Sequence, residues 1–217
     1  MAGALIIGVG PGVGRAVAHR FARAGLPVAL VARTDRSDLA PPGARTLALT
    51  ADVTDEDALR AALDRATAAF GVPEVVVYNA ALIRPDRIGE LPAEGQLRAW
   101  SVNVLGALTA AAHLAPAMAD HGGGSFLVTG GMPEPKPEYV SLSLGKAAVR
   151  TLVTLLDQTY GAAGVHAASV TIDGPVAPGT PFDPEIIAEH YWRLHTQPRA
   201  EWRHEVVHGT GTGGTAR

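Results

Sequence analysis

Four glycines within seven residues carry the first chemical signal. They are Gly8, Gly10, Gly12 and Gly14, in Leu5-Ile6-Ile7-Gly8-Val9-Gly10-Pro11-Gly12-Val13-Gly14. Glycine has no Cβ, so backbone N–H groups can approach a ligand closely. An apolar run precedes the turn and an amphipathic stretch follows it, which reads as strand, tight turn and helix start. The new helix points unpaired N–H groups and its positive dipole end at the turn, which favours a phosphate. The common dinucleotide spacing G-x-G-x-x-G/A fails: begun at Gly8 it meets Val13, and begun at Gly10 it meets Arg15. The spacing that fits is G-x-x-x-G-x-G, through Gly8, Gly12 and Gly14, with Gly10 and Val13 inside the cradle.

Arg33 directly follows the apolar run Val28-Ala29-Leu30-Val31-Ala32. In dinucleotide folds an acidic side chain at this strand end holds the ribose hydroxyls, and a basic one accommodates a 2′-phosphate. Arg33 therefore favours NADP(H) over NAD(H), while Asp35 nearby keeps NAD(H) open. His190, His195, His204 and His208 form no tight ligand pair with a matching carboxylate, so no metal is expected. Ser143-x-x-Lys146 superficially resembles a hydrolase motif, but nothing else of such a site is present, and Ser143 reads as a helix-surface serine.

The elements that must position these residues alternate between strand and helix. Apolar runs at 46–49, 75–78, 125–129 and 166–172 read as further strands, and 202–207 as a final edge strand. Thr54 followed by Asp57 resembles a capping box and predicts a helix to Phe70. Residues 92–120 read as one long helical region, broken near Gly95, with Trp100, Val104, Leu108, Ala111 and Ala115 on one stripe. Pro116 should kink that helix or lie near its end. The helix carrying Lys146 should run to about Tyr160, and an amphipathic helix should span 184–195.

At 217 residues the chain suits one domain with a large core. A net charge of −3 argues against nucleic acid or an anionic membrane as partner. The absence of cysteine excludes disulfides, thiolate catalysis and cysteine-held metals. The first apolar run is short, lacks a preceding basic region and reads as a strand rather than a signal peptide. No run reaches about 18 uninterrupted apolar residues, so no membrane span is expected. The location expected is cytoplasmic.

Over residues 3–180 this succession of motifs resembles the short-chain dehydrogenase/reductase family. The resemblance rests on the glycine turn, Asp52-Val53, Tyr78-Asn79-Ala80-Ala81, Asn103-Val104-Leu105-Gly106, Lys146-Ala147-Ala148-Val149 and Gly174-Pro175-Val176. It implies an α/β fold: a single Rossmann-like domain over 1–208, with a doubly wound parallel sheet and helices on both faces. A short substrate lid would lie around 181–200, and 209–217 would be a flexible tail. Asp52 and Val53 would contact adenine, Asn79 and Ala80 would form the turn beside the cofactor, and Gly174 and Val176 would border the nicotinamide. Lys146 would hold the ribose, and Asn103 would organise a water beside it. Homodimers or homotetramers are implied, as is a small-molecule substrate.

The resemblance fails at two positions. The family's tyrosine, four residues before its lysine, is Leu142 here, and its serine position falls on Gly131 or Gly130. Tyr139 lies seven residues before Lys146, two helical turns, and could supply the missing acid, with Thr129 standing in for the serine. Two alternatives stay open: hydride transfer to an acceptor that needs no tyrosine, such as an iminium or activated alkene, and dinucleotide binding without redox chemistry. Asp173 replaces the family's proline near the nicotinamide, and reads as a turn aspartate. Arg84, Asp86 and Arg87 read as solvated loop residues.

Overall fold

The computed structural model describes residues 2–210; most of the expected tail, 211–217, lies outside the described residues. Seven strands form one parallel sheet: β1 (Ala4–Ile7), β2 (Val28–Ala32), β3 (Thr46–Thr50), β4 (Val75–Tyr78), β5 (Gly124–Thr129), β6 (Val165–Ile172) and β7 (Glu205–His208). Their order is β3-β2-β1-β4-β5-β6-β7, so the winding direction reverses between β1 and β4. Ligands bind at such a switch point, outside the carboxyl ends of the strands. Ile7 is level with Tyr78 in the register, so the loops leaving β1 and β4 start side by side.

Alternating side chains assign each face its helices. Leu5 and Ile7 point into a core shared with α2 (Glu56–Phe70), α4 (Gly106–Asp120) and α5 (Val140–Tyr160). Ala4 and Ile6 point into a second core with α1 (Val13–Arg23) and α6 (Pro184–His195). Strands buried on both faces need continuous apolar sequence, which is what β1, β2 and β4 have.

Several local expectations are corrected. Asp55, not Thr54, caps α2, accepting from the Ala58 N–H at 3.0 Å. Thr54 instead donates its N–H and hydroxyl to Asp52 Oδ1, both at 2.9 Å. No break occurs at Gly95. Helix α3 (Ala93–Trp100) passes into α4 through a π-turn, Ser101–Leu105, while Pro116 lies near the end of α4, as expected. The expected stripe is only half buried: Val104, Ala111 and Ala115 face the core, while Trp100 and Leu108 are exposed. The π-turn widens the helix by one residue, which rotates the side chains on either side of it out of a single row.

Residues 93–120 are long and apolar enough to cross a membrane by length and composition. Here Ala107, Ala110, Ala111, Leu114 and Met118 are packed in the first core, so the segment serves as a core helix. The segment expected as a lid is mostly α6, whose Ile187, Ala188, Tyr191 and Leu194 are buried in the second core. Salt bridges Arg20–Glu189 at 2.6 Å and Arg23–Glu185 at 3.2 Å flank its seam with α1. An apolar stripe of that width commits the helix to the core layer.

Candidate active site

A cleft of about 1550 Å³ opens at the carboxyl ends of the strands. That exceeds an ordinary small-molecule pocket of roughly 300–1,000 Å³ and leaves room for a dinucleotide and a second molecule. One wall is the turn between β1 and α1. Gly8 sits at φ +90, where a side chain would overlap the Ala80 backbone nitrogen. A Cβ on Gly14 would come within 3.0 Å of Gly8 O and Val9 Cα, so glycine here lets the helix close on the strand. Gly10 has open space where its Cβ would be, and at Gly12 the nearest atom is Val176 Cγ1 at 3.9 Å. These two glycines leave room in the cleft itself, where α1 presents its first N–H groups.

Arg33 and Asp52 line the cleft at the ends of β2 and β3, and Val53 is buried beside them. The Thr54 N–H holds the Asp52 carboxyl below its usual range, and the Arg33 charge adds in the same direction. Asn79 ties the switch point together. Its Nδ2 donates to Gly8 O at 2.8 Å, and its Oδ1 accepts from the Thr129 hydroxyl at 2.8 Å. Ala80 donates its N–H to Ile7 O at 3.1 Å.

Lys146 is buried on α5, and its Nζ donates to Thr129 O at 2.6 Å. Burial brings its pKa down from 10.5 to about 8, with the Arg150 charge adding to the effect. One turn earlier, Leu142 lines the cleft. Tyr139 is the residue that starts α5; it is half-buried and also lines the cleft. A Cβ on Gly130 would come within 2.9 Å of Thr171 Cα, whereas on Gly131 its nearest neighbours, Ile172 O and Lys146 Cε, lie at 3.7 and 3.8 Å. A side chain therefore fits only at Gly131. The Thr129 hydroxyl is committed to Asn79 and to the buried Tyr191 hydroxyl at 2.7 Å, rather than free to meet a substrate.

Gly174 and Val176 close the far wall, and Gly174 admits the Phe182 ring where a Cβ would stand. Of the expected site residues only Asn103 does not line the cleft. It is buried in the π-turn, accepting from the Leu82 N–H at 2.8 Å and donating to Leu82 O at 3.3 Å. It thus shapes the loop after β4 and satisfies its own polar group. No residue of 181–200 lines the cleft.

Two residues were missed from sequence. Asp86 is 2% exposed, not solvated, and accepts from the Ser141 N–H and hydroxyl. Its own backbone bonds to Glu138 O and to the Val140 N–H, on either side of Tyr139. No local signal marks it, because its partners are some 55 residues away. Tyr191 was read only as an apolar helix position. Burial raises its pKa above the usual value, and its hydroxyl anchors Thr129 from behind the sheet.

Comparison with known proteins places this architecture. Residues 2–184 match the short chain dehydrogenase family. The chain is 30% identical, over 83% of its length and 77% of the relative's, to cis-4-hydroxycyclohexanecarboxylate dehydrogenase of Sinomonas cyclohexanicum. It is 27% identical to glucose 1-dehydrogenase 2 of Bacillus subtilis, over 82% of this chain and 70% of that one. Among solved structures, an alcohol dehydrogenase from the archaeon Thermococcus sibiricus, complexed with 5-hydroxy-NADP, superposes with a TM-score of 0.85 at 25% identity, covering 95% of each chain.

Proposed function

Because the chain belongs to the short-chain dehydrogenase family, we propose that it transfers hydride between NADP(H) and a small or medium organic carbonyl, alcohol, imine or alkene. The observation that carries the reading is one cleft lined both by the glycine turn and by Lys146 and Tyr139. The dinucleotide supplies the hydride. The N–H groups at Gly10, Gly12 and Val13 hold its pyrophosphate, and Arg33 takes the 2′-phosphate. Asp52 and Val53 flank the adenine, and Gly174 and Val176 border the nicotinamide. The 5-hydroxy-NADP complex of the Thermococcus sibiricus neighbour favours the phosphorylated form. A dehydrogenase of a cyclic hydroxy acid among the relatives favours an alcohol–ketone pair.

Lys146 holds the ribose, and Asn103 shapes the loop beside it. In reduction Tyr139 gives its proton to the substrate oxygen; in oxidation it takes the proton back. Leu142 can do neither, so the site is non-standard for the family. We place the enzyme in the cytoplasm and expect it to form homodimers or homotetramers.

A structure with NADPH bound tests this. The Tyr139 hydroxyl should lie within about 3–5 Å of both the Lys146 cluster and the space above the nicotinamide C4. Tyr139→Phe should then lower kcat by about 10²–10⁴. The second reading, dinucleotide binding without redox chemistry, is favoured by Leu142 standing one turn before Lys146. Tyr139 turned away with NADPH bound, and no turnover of any carbonyl, would decide for it.

A further inference from the structure

The turn after β5 has a backbone unlike its surroundings. Met132 adopts φ +49, a left-handed conformation that side chains avoid, and it is the only non-glycine residue to do so among the described residues. Such strain persists only where neighbours enforce it. The enforcing neighbour is Arg150 on α5, one turn beyond Lys146. Its Nη1 donates to Gly131 O at 3.0 Å and to Met132 O at 3.3 Å. Both carbonyls are thus turned toward Arg150. Gly131 and Met132 line the cleft, and Arg150 does not, so the turn stands between the guanidinium and the cleft.

A trans peptide directs the N–H opposite to the C=O in the same plane, and no peptide bond here is cis. The Gly131 carbonyl faces Arg150, so the Met132 N–H faces away from it. That N–H has no acceptor among the described residues. It belongs to a cleft-lining residue next in the chain to Gly131, where a Cβ would lie 3.8 Å from Lys146 Cε. The geometry points to the Met132 N–H as the hydrogen-bond donor to the substrate's carbonyl oxygen, with Arg150 as the positioning residue that turns it into the cleft. This rests on the carbonyl–alcohol reading above. A backbone donor at this place does the work a side-chain hydroxyl would do, because it is fixed before charge develops on the oxygen.

The chain has three methionines, so selective ¹⁵N-methionine labelling isolates the amides of Met118 and Met132. Met118 is fully buried in the first core and serves as internal control. The probes are cyclohexanone, benzaldehyde and acetophenone, each added to the NADP⁺ complex, where no reduction can occur. The Met132 amide proton should move downfield on addition of the carbonyl, beyond its position with NADP⁺ alone, while Met118 stays. Arg150→Met should abolish that movement and lower kcat with NADPH by about 10²–10³, with the Kd for NADPH unchanged. Adding Gly131→Ser to that variant should restore part of kcat through a hydroxyl beside Lys146. A carbonyl that is reduced while the Met132 amide stays still overturns the inference alone. If Arg150→Met does not fold, the amide response of the unaltered chain decides by itself. If none of the three carbonyls is reduced and none moves the Met132 amide, the carbonyl–alcohol reading fails, and the inference with it.

Discussion

At the scale of single residues, burial decides the chemistry. An ammonium in an apolar interior loses its hydration, and one carbonyl does not replace that shell. Lys146 therefore holds its proton less tightly in the fold, near pKa 8 instead of 10.5. Between those values the unfolded chain binds more protons than the native one, so stability rises with pH across that window. The whole span corresponds to about 3 kcal/mol. Urea denaturation at about pH 7 and about pH 10 should show this rise in the unaltered protein. Lys146→Met should remove most of it; a variant with the same pH dependence would show that the lysine is solvated. Asp86 is buried as well, and its carboxyl oxygens accept from the N–H and the hydroxyl of Ser141.

At the scale of elements, the glycines of the first turn fall into two kinds. At Gly8 and Gly14 protein atoms stand where a Cβ would go, whereas Gly10 has open space there and Gly12 only an ordinary contact with Val176, which on the proposed reading leaves room for the dinucleotide. Substitution should separate the two. Gly8→Ala meets both the positive φ and the Ala80 backbone, and should cost about 1–3 kcal/mol in denaturant unfolding. Gly12→Ala should leave stability within about 0.5 kcal/mol. Its methyl group projects into the cleft, and should weaken NADPH at least about tenfold by titration. Equal effects on folding at both positions would remove the argument that Gly12 serves a ligand. The π-turn belongs to the same scale. Asn103 can reach both polar groups of Leu82 from a locally widened helix, and Gly145 gives it room, since a Cβ there would lie 2.8 Å from Asn103 Cβ.

At the scale of the molecule, both sheet faces are covered, and apolar side chains remain exposed in several places: Ile83 and Ile88 in the loop after β4, Leu97 on α3, Ile186 on α6, and a group on α4 and α5. Leu108, Leu144 and Leu155 are each about half exposed there. On the oligomeric reading proposed above, this is the face on which copies of the chain would meet. Light scattering should give the mass of a dimer or tetramer, and Leu155→Glu should lower it. A monomeric unaltered protein would remove the oligomer from the reading.

The order of strands and helices, the glycine turn between β1 and α1 and the lysine helix were all legible in the sequence, because each is written in neighbouring residues. A buried parallel strand is a short apolar run, a helix start is a glycine turn, and Lys146 carries its flanking alanines with it. Which aspartate is buried was not legible. Asp86 lies in a charged, proline-bearing loop, and only the fold brings Ser141 to it. Nor was the choice between Thr54 and Asp55 as cap, which turns on one residue of helix phase and on where Asp52 sends its oxygen. The sequence could name Thr129 as a hydroxyl at the right strand end; the packing of α6 behind the sheet, with Tyr191 at its centre, decided where that hydroxyl points. Contacts between residues far apart in the chain have no local period to betray them, and in this protein they are the contacts that aim the site.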